Sequence, residues 1–203
     1  MYKRLIIVIL FIFLFINNNF VYSKIENPVE VLRGINKDVL NIVNNNVSLN
    51  DNELNEVLGN YIISFIDFNE MCLLIIGKGT WKEIPINKQN DFINEFKKLV
   101  IKTYSTTLNK YIKSNVVFFE NKNDDKIKYE RKIQIFSEIE HFNGGKNLHV
   151  DYRLIFHKNS WKLYDLIIEG VSILKGFQAQ FSNDVKKNGI DYVINKIRQH
   201  NNE

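Results

Sequence analysis

The sequence predicts an α+β domain: helices first, then an antiparallel sheet, then helices again. Three observations carry this. Apolar residues recur at helical spacing from Val31 to Tyr111. The period changes to two between Lys126 and Ile168, and returns to helical spacing from Ile173 to Ile197. Elements segregated by type along the chain mark an α+β arrangement rather than an alternating parallel one.

The N-terminus stands apart. Lys3 and Arg4 precede an unbroken apolar run from Leu5 to Ile16, which Asn17 to Asn19 interrupt. Val21 and Ser23 occupy the −3 and −1 positions of a cut after Ser23, the pattern of a secretory signal peptide. The run is short for a permanent span, which needs about 20 apolar residues. Residues 1–23 are therefore expected to be a signal peptide and 24–203 a single domain, with helices over about 28–111, a sheet over about 115–169 and helices over about 172–200.

The elements follow in order. Asn27 and Pro28 read as N-cap and first helical residue, followed by Val31, Leu32, Ile35, Val39, Ile42 and Val43. Asn44 to Asn46 end that helix. Asn50 opens a second, with Leu54, Val57, Leu58, Tyr61, Ile62 and Phe65. Asp67 and Glu70 have capping-box spacing before a third helix through Ile76, closed by Gly77 and Gly79. Asn87 is expected to cap a long helix whose apolar stripe, heavily aromatic, runs Phe92, Phe96, Leu99, Val100, Thr103, Tyr104, Leu108 and Tyr111.

Alternation then sets in. Ile127, Tyr129, Ile133, Ile135 and Ile139 define the buried face of one strand, after an expected first strand at Val116–Glu120. Asn143 to Lys146 read as a hairpin turn, and Leu148, Val150, Tyr152, Leu154 and Phe156 return. His157 to Ser160 turn the chain again into Trp161–Ile168. This makes about four strands in a meander. Ser172 caps a helix bearing Ile173, Leu174, Phe177, Phe181 and Val185, Gly189 ends it, and a last amphipathic helix follows.

Composition excludes several classes. The formal charge is +4, and Lys3 and Arg4 supply two of those charges. Acids and bases are mixed along the rest, so the chain is no polybasic nucleic-acid binder. Cys72 is the single cysteine, so no intrachain disulfide forms and stability must come from the hydrophobic core. His141, His149, His157 and His200 have no metal-site spacing, and no phosphate loop, dinucleotide fingerprint or nucleophile elbow is present. No cofactor or metal is expected.

Asp165 and Glu169 are the acids best placed for general acid–base work, four residues apart at a strand end. The structural reading of both is stronger. An acid there accepts backbone N–H bonds from the turn and the next helix, with Gly170 allowing a tight bend and Ser172 capping. Asp165, Glu169, Gly170 and Ser172 are thus expected to be structural.

Two stretches resemble a known family. "YIISFIDFNEMCLLIIGKGTWKEIPINKQNDFINEFKKLVIKTYSTTLNKY" (61–111) and "WKLYDLIIEGVSILKGFQAQF" (161–181) are similar to the Asp-Phe helix, the spaced Phe, Leu and Tyr positions, and the Trp…Asp…Glu-Gly-Val-Ser signature of the MlaC family. Ile76-Gly77-Lys78-Gly79 departs from the plainer Leu-Gly turn of that pattern. The resemblance implies a periplasmic phospholipid carrier with a small cone-shaped sheet, like that of nuclear transport factors, beside helices. It implies acyl chains held between them and a head group near solvent. The implied partners are phospholipid, an inner-membrane lipid ABC transporter complex and an outer-membrane lipoprotein complex.

The physics suits a carrier. At about 0.8 kcal/mol per methylene, roughly 30 methylenes cost about 24 kcal/mol to expose, so a shuttle must cover most of that surface. Periodicity nominates the lining: Phe65, Phe68, Met71, Phe92, Phe96, Tyr104, Ile133, Ile135, Leu154, Phe156, Val171, Ile173 and Phe177. Two other readings compete. One is a small-molecule enzyme on a cone-shaped fold using Asp165 or Glu169; the other is a structural adaptor whose apolar faces pack completely.

Overall fold

The computed structural model describes residues 26–111, 114–119, 131–140 and 146–202. The expected signal peptide, the first half of the strand expected from Lys126, and the turn at Asn143–Gly145 lie outside the described residues.

Caps set the helix starts. α1 (Pro28–Asn45) opens where the Asn27 side chain accepts from the Val29 amide at 2.9 Å. α2 (Asp51–Ile63) has a reciprocal capping box: Asn50 accepts from the Glu53 amide, and Glu53 accepts from the Asn50 amide. α3 (Phe68–Ile76) has only half a box. Asp67 accepts from the Glu70 amide at 2.9 Å, while the Glu70 carboxylate pairs with Lys132 instead.

Two expectations are corrected here. Gly77 ends α3 at φ 92°, but Gly79 lies inside a further short helix, α4 (Lys78–Glu83). Asn87 does not cap α5 (Ile86–Tyr111). The helix begins at Ile86, two residues before the start that an Asn87 cap implies, because the Pro85 carbonyl accepts from the Gln89 amide at 3.0 Å. The Gln89 side chain then reaches back to the carbonyls of Trp81 and Ile84 and ties α4 to α5.

The sheet is an antiparallel meander of β1 (Val116–Phe118), β2 (Lys132–Ile139), β3 (Leu148–His157), β4 (Ser160–Ile168) and β5 (Val171–Ser172), in that order. Among the described residues it thus has five strands where about four were expected. Glu169 and Gly170, with φ 47° and 80°, form a two-residue turn that pairs Ile168 with Val171 before the chain enters α6 (Ile173–Asn188). Lys158 and Asn159, with φ 49° and 62°, make the same kind of turn between β3 and β4. Gly189 at φ 82° separates α6 from α7 (Ile190–Asn202).

Register decides which strand residues share a face. Ile135 pairs with Tyr152, Leu154 with Leu163, and Phe156 with Trp161. The register shifts between Arg153 and Leu154, leaving Tyr164 without a cross-strand partner. After the shift Leu166 pairs with Tyr152 and Ile168 with Val150, so both join the side that carries Leu163.

Among the described residues two main buried clusters result, with a small third where Val43 of α1 meets Leu58 of α2. α3, α5, α6 and α7 enclose an aromatic one. Phe92 and Phe96 are parallel, 6.0 Å apart, and Phe177 meets Phe96 edge-on at 4.9 Å. The second lies under α1, where Val29 and Leu32 meet Phe118, Ile135, Leu154 and Trp161, and the Trp161 indole donates to the Glu26 carbonyl. Cys72 is a core residue with no exposure. Among the described residues no helix is long and apolar enough to cross a membrane.

Candidate functional site

Between the two clusters the packing leaves an apolar cavity of about 150 Å³. α2 supplies Leu58, Gly59, Ile62 and Ile63, with Asn55 at its edge. Ile66 follows, fixed by paired bonds in which the Asp67 amide donates to the Leu163 carbonyl and the Leu163 amide to the Phe65 carbonyl. α3 gives Phe68 and Met71, and α5 gives Val100, Ile101 and Tyr104. The sheet closes it with Leu163, Leu166 and Ile168, and α6 adds Ile173. α2 and α5 approach closely at Gly59, where a Cβ would lie 3.2 Å from Ile101 Cγ2.

Of the thirteen nominated lining residues, the structure brings four to this cavity: Phe68, Met71, Tyr104 and Ile173. Phe92 and Phe96 lie in the aromatic core with no exposure, and Phe177 joins them there. Ile133, Ile135, Leu154 and Phe156 belong to the cluster under α1. Phe65 stacks edge-on against Tyr61, and Val171 is 69% exposed at the sheet edge. The lining nominated from the sequence left out Leu58, Ile62 and Val100, which it had placed on apolar helix faces, and Gly59, Ile63, Ile66, Ile101, Leu163, Leu166 and Ile168. One signal was available. Val100 and Ile101 follow Leu99 directly, and Ile62 and Ile63 follow Tyr61, so the apolar surface there is wider than one helical stripe.

The buried carboxylate at the cavity is committed. Asp165 contributes to the lining, is 1% exposed, and accepts from the Arg153 guanidinium at 3.1 Å, the Ser172 hydroxyl at 2.7 Å and the Leu174 amide at 2.9 Å. Ser172 in turn accepts from the Lys175 amide as the N-cap of α6. Glu169 accepts from the His149 amide at 2.9 Å, a bond that holds its carboxyl below the ordinary range. The Glu-Gly-Val-Ser segment is therefore a turn, a short edge strand and a helix cap, anchored from beneath by Asp165. Burial pushes the Tyr104 phenol up and the Cys72 thiol well up, so both stay neutral at ordinary pH. Among the described residues no group of three His, Cys, Asp or Glu side chains could hold a metal ion.

A shell of helices and sheet around an apolar cavity, its buried polar groups satisfied, defines an α+β domain built to enclose apolar matter. The sequence model of the MlaC protein family matches residues 33–199. The chain belongs to that family. The fold is shared with a solved structure, the phospholipid-binding protein from Ralstonia solanacearum in complex with a phospholipid. The two agree with a TM-score of 0.72 at 21% identity, over 84% of this chain and 94% of that one. No curated protein matches this chain.

Proposed function

We propose that this protein is a phospholipid carrier that holds acyl chain in the cavity between α2, α5 and β4. The cavity itself is the observation that carries this reading: its polar surface is minimal, and it lies within the matched family region. The Ralstonia solanacearum protein, which shares the fold, was captured with a phospholipid.

At about 150 Å³ the cavity falls short of the 300–1,000 Å³ typical of ligand pockets. Lipid entry therefore requires a wall to move. α2 is the candidate, since Leu58 is its one fully buried side chain. In the full reading the chain is exported by residues 1–23, cut after Ser23, and works in the periplasm. There it shuttles phospholipid between an outer-membrane lipoprotein complex and an inner-membrane lipid ABC transporter complex. Catalysis by Asp165 fits poorly, because both its oxygens already serve the α6 junction.

Native mass spectrometry of the exported protein, purified without detergent, tests this. The expected result is a mass excess matching one phospholipid, recovered by organic extraction. Protein that arrives bare and takes up no phospholipid from vesicles would overturn the reading.

A further inference from the structure

One flank of the cavity carries charge. Beside the N-terminus of α3 lies a recess of about 200 Å³, whose rim bears Lys97, Lys158, Lys162 and His157. Ile63, Ile66 and Phe68 line both the recess and the cavity, so the two spaces share a wall. We propose that this recess is a phosphate-binding subsite that receives the anionic head group of a lipid whose acyl chain enters the cavity. The proposal rests on the carrier reading and adds to it a charged anchor with a fixed position.

Charge balance at the recess favours an anion. Three lysines face one lining carboxylate, Asp67, which is already engaged: one oxygen accepts from the Glu70 amide, and the other is 2.8 Å from His157 Nδ1. The lysines are held in different ways. The Lys97 ammonium sits 5.6 Å from the centre of the Phe68 ring, against the shared wall. Lys162 spends one of its N–H donors on the Ser64 carbonyl at 2.8 Å and lies 5.9 Å from the Phe65 ring centre. Lys158 occupies the first turn position between β3 and β4 at φ 49°, a conformation where Asn and Gly are favoured and a side chain with a long stem is uncommon. The turn thus presents a cation at the rim in a backbone geometry that does not favour lysine.

The opposite flank is different. Tyr104 and Ile173 separate the cavity from a groove between α5, α6 and α7, whose polar lining is Thr103, Ser172, Gln180, Lys196, Gln199 and His200. Its lysine, Lys196, is paired with Asp184 at 2.9 Å. The asymmetry gives a bound amphiphile a direction, with phosphate at Lys97, Lys158 and Lys162 and chain toward Tyr104.

The test compares parent and K97Q/K158Q/K162Q proteins, exported and purified identically. Uptake from phosphatidylcholine vesicles is measured for dioleoyl-phosphatidylglycerol and for dioleoylglycerol, which has the same chains and no phosphate. Inorganic phosphate is followed separately by phosphorus NMR. The parent is expected to prefer phosphatidylglycerol by about tenfold, and the triple variant to bring that ratio near one. The single Lys158→Gln variant, on an exposed turn, lowers the ratio by about twofold if each cation contributes an equal and separate share of the tenfold preference. It keeps the test available should the triple variant fold poorly.

Lysine-dependent broadening of the inorganic phosphate signal without lipid preference would support the phosphate site and assign it to free phosphate instead. An unchanged lipid ratio in both variants, with no phosphate binding, overturns the proposal. If the parent takes up neither lipid, the carrier reading fails, and the phosphate signal alone decides the subsite.

Discussion

α5 carries two apolar surfaces with opposite fates. Phe92, Phe96 and Leu99 face the aromatic core and are buried, the two phenylalanines completely. Val100, Ile101 and Tyr104, rotated by about a third of a turn around the helix, face the cavity and are only half-buried. The same split appears where Phe177 of α6 packs into the core while Ile173 borders the cavity. The core uses flat rings that interlock edge to face. The cavity wall is mostly aliphatic, and side chains such as Val100, Tyr104 and Ile173 touch the core on one side while the cavity leaves their other side open. Hydrophobicity alone does not separate them; what does is whether a partner surface arrives. A packed surface supplies stability, and an unpartnered one supplies a place for a ligand.

Charging each surface should break the comparison in different ways. The largest expected effect is Phe96→Asp, which puts an unpaired carboxylate among rings with no exposure and should cost more than about 5 kcal/mol. Loss of a cooperative thermal transition by circular dichroism would show it. Next is Asp165→Ala, which strips the partner from the Arg153 guanidinium and the Ser172 hydroxyl. Urea denaturation should report a loss of about 3–5 kcal/mol.

Ile62→Lys, on the cavity wall, should change stability by no more than about 1 kcal/mol, since the long side chain can reach solvent. Phospholipid recovered with the purified protein should nonetheless fall about tenfold. If Ile62→Lys instead unfolds the chain, the wall is core after all and the comparison collapses.

The smallest effect concerns the seam between α5 and α7. Burial raises the Glu95 carboxyl, but hydrogen bonds from Asn201, Lys98 and Arg198 more than offset it and hold it below the ordinary range. A lowered folded value means that this stabilisation is present above the unfolded value, and is lost as pH falls through the folded one. Glu95→Gln should therefore remove about 1 kcal/mol at pH 7, and the difference from the parent should shrink below about pH 4. Urea titrations at the two pH values check this.

How much of this was readable follows from the range of each cause. Local chemistry was legible: Asn27, Asn50, Asp67 and Ser172 all cap the helices that their spacing announced. The fifth strand was not, because Val171–Ser172 is two residues long and Ser172 reads equally as a helix cap. The register shift at Arg153/Leu154 has no local signature, yet it turns Leu166 and Ile168 toward the cavity. Periodicity found the strongest stripe on each helix, and that stripe went to the core. Other positions of the same apolar faces, Leu58, Ile62 and Tyr104 among them, line the cavity; periodicity does not tell the two fates apart, so four of the thirteen nominated side chains reached it.

Photo-crosslinking tests the central claim most directly. A phosphatidylglycerol with a diazirine near the end of one acyl chain would be loaded, irradiated, and its adducts mapped by peptide mass spectrometry. The account predicts adducts on the aliphatic wall, at Ile62, Ile63, Val100, Ile101 or Leu166. Adducts concentrated instead on Phe96, Phe177 or the strand residues beneath α1 would contradict it, and would place the lipid where this structure has only core.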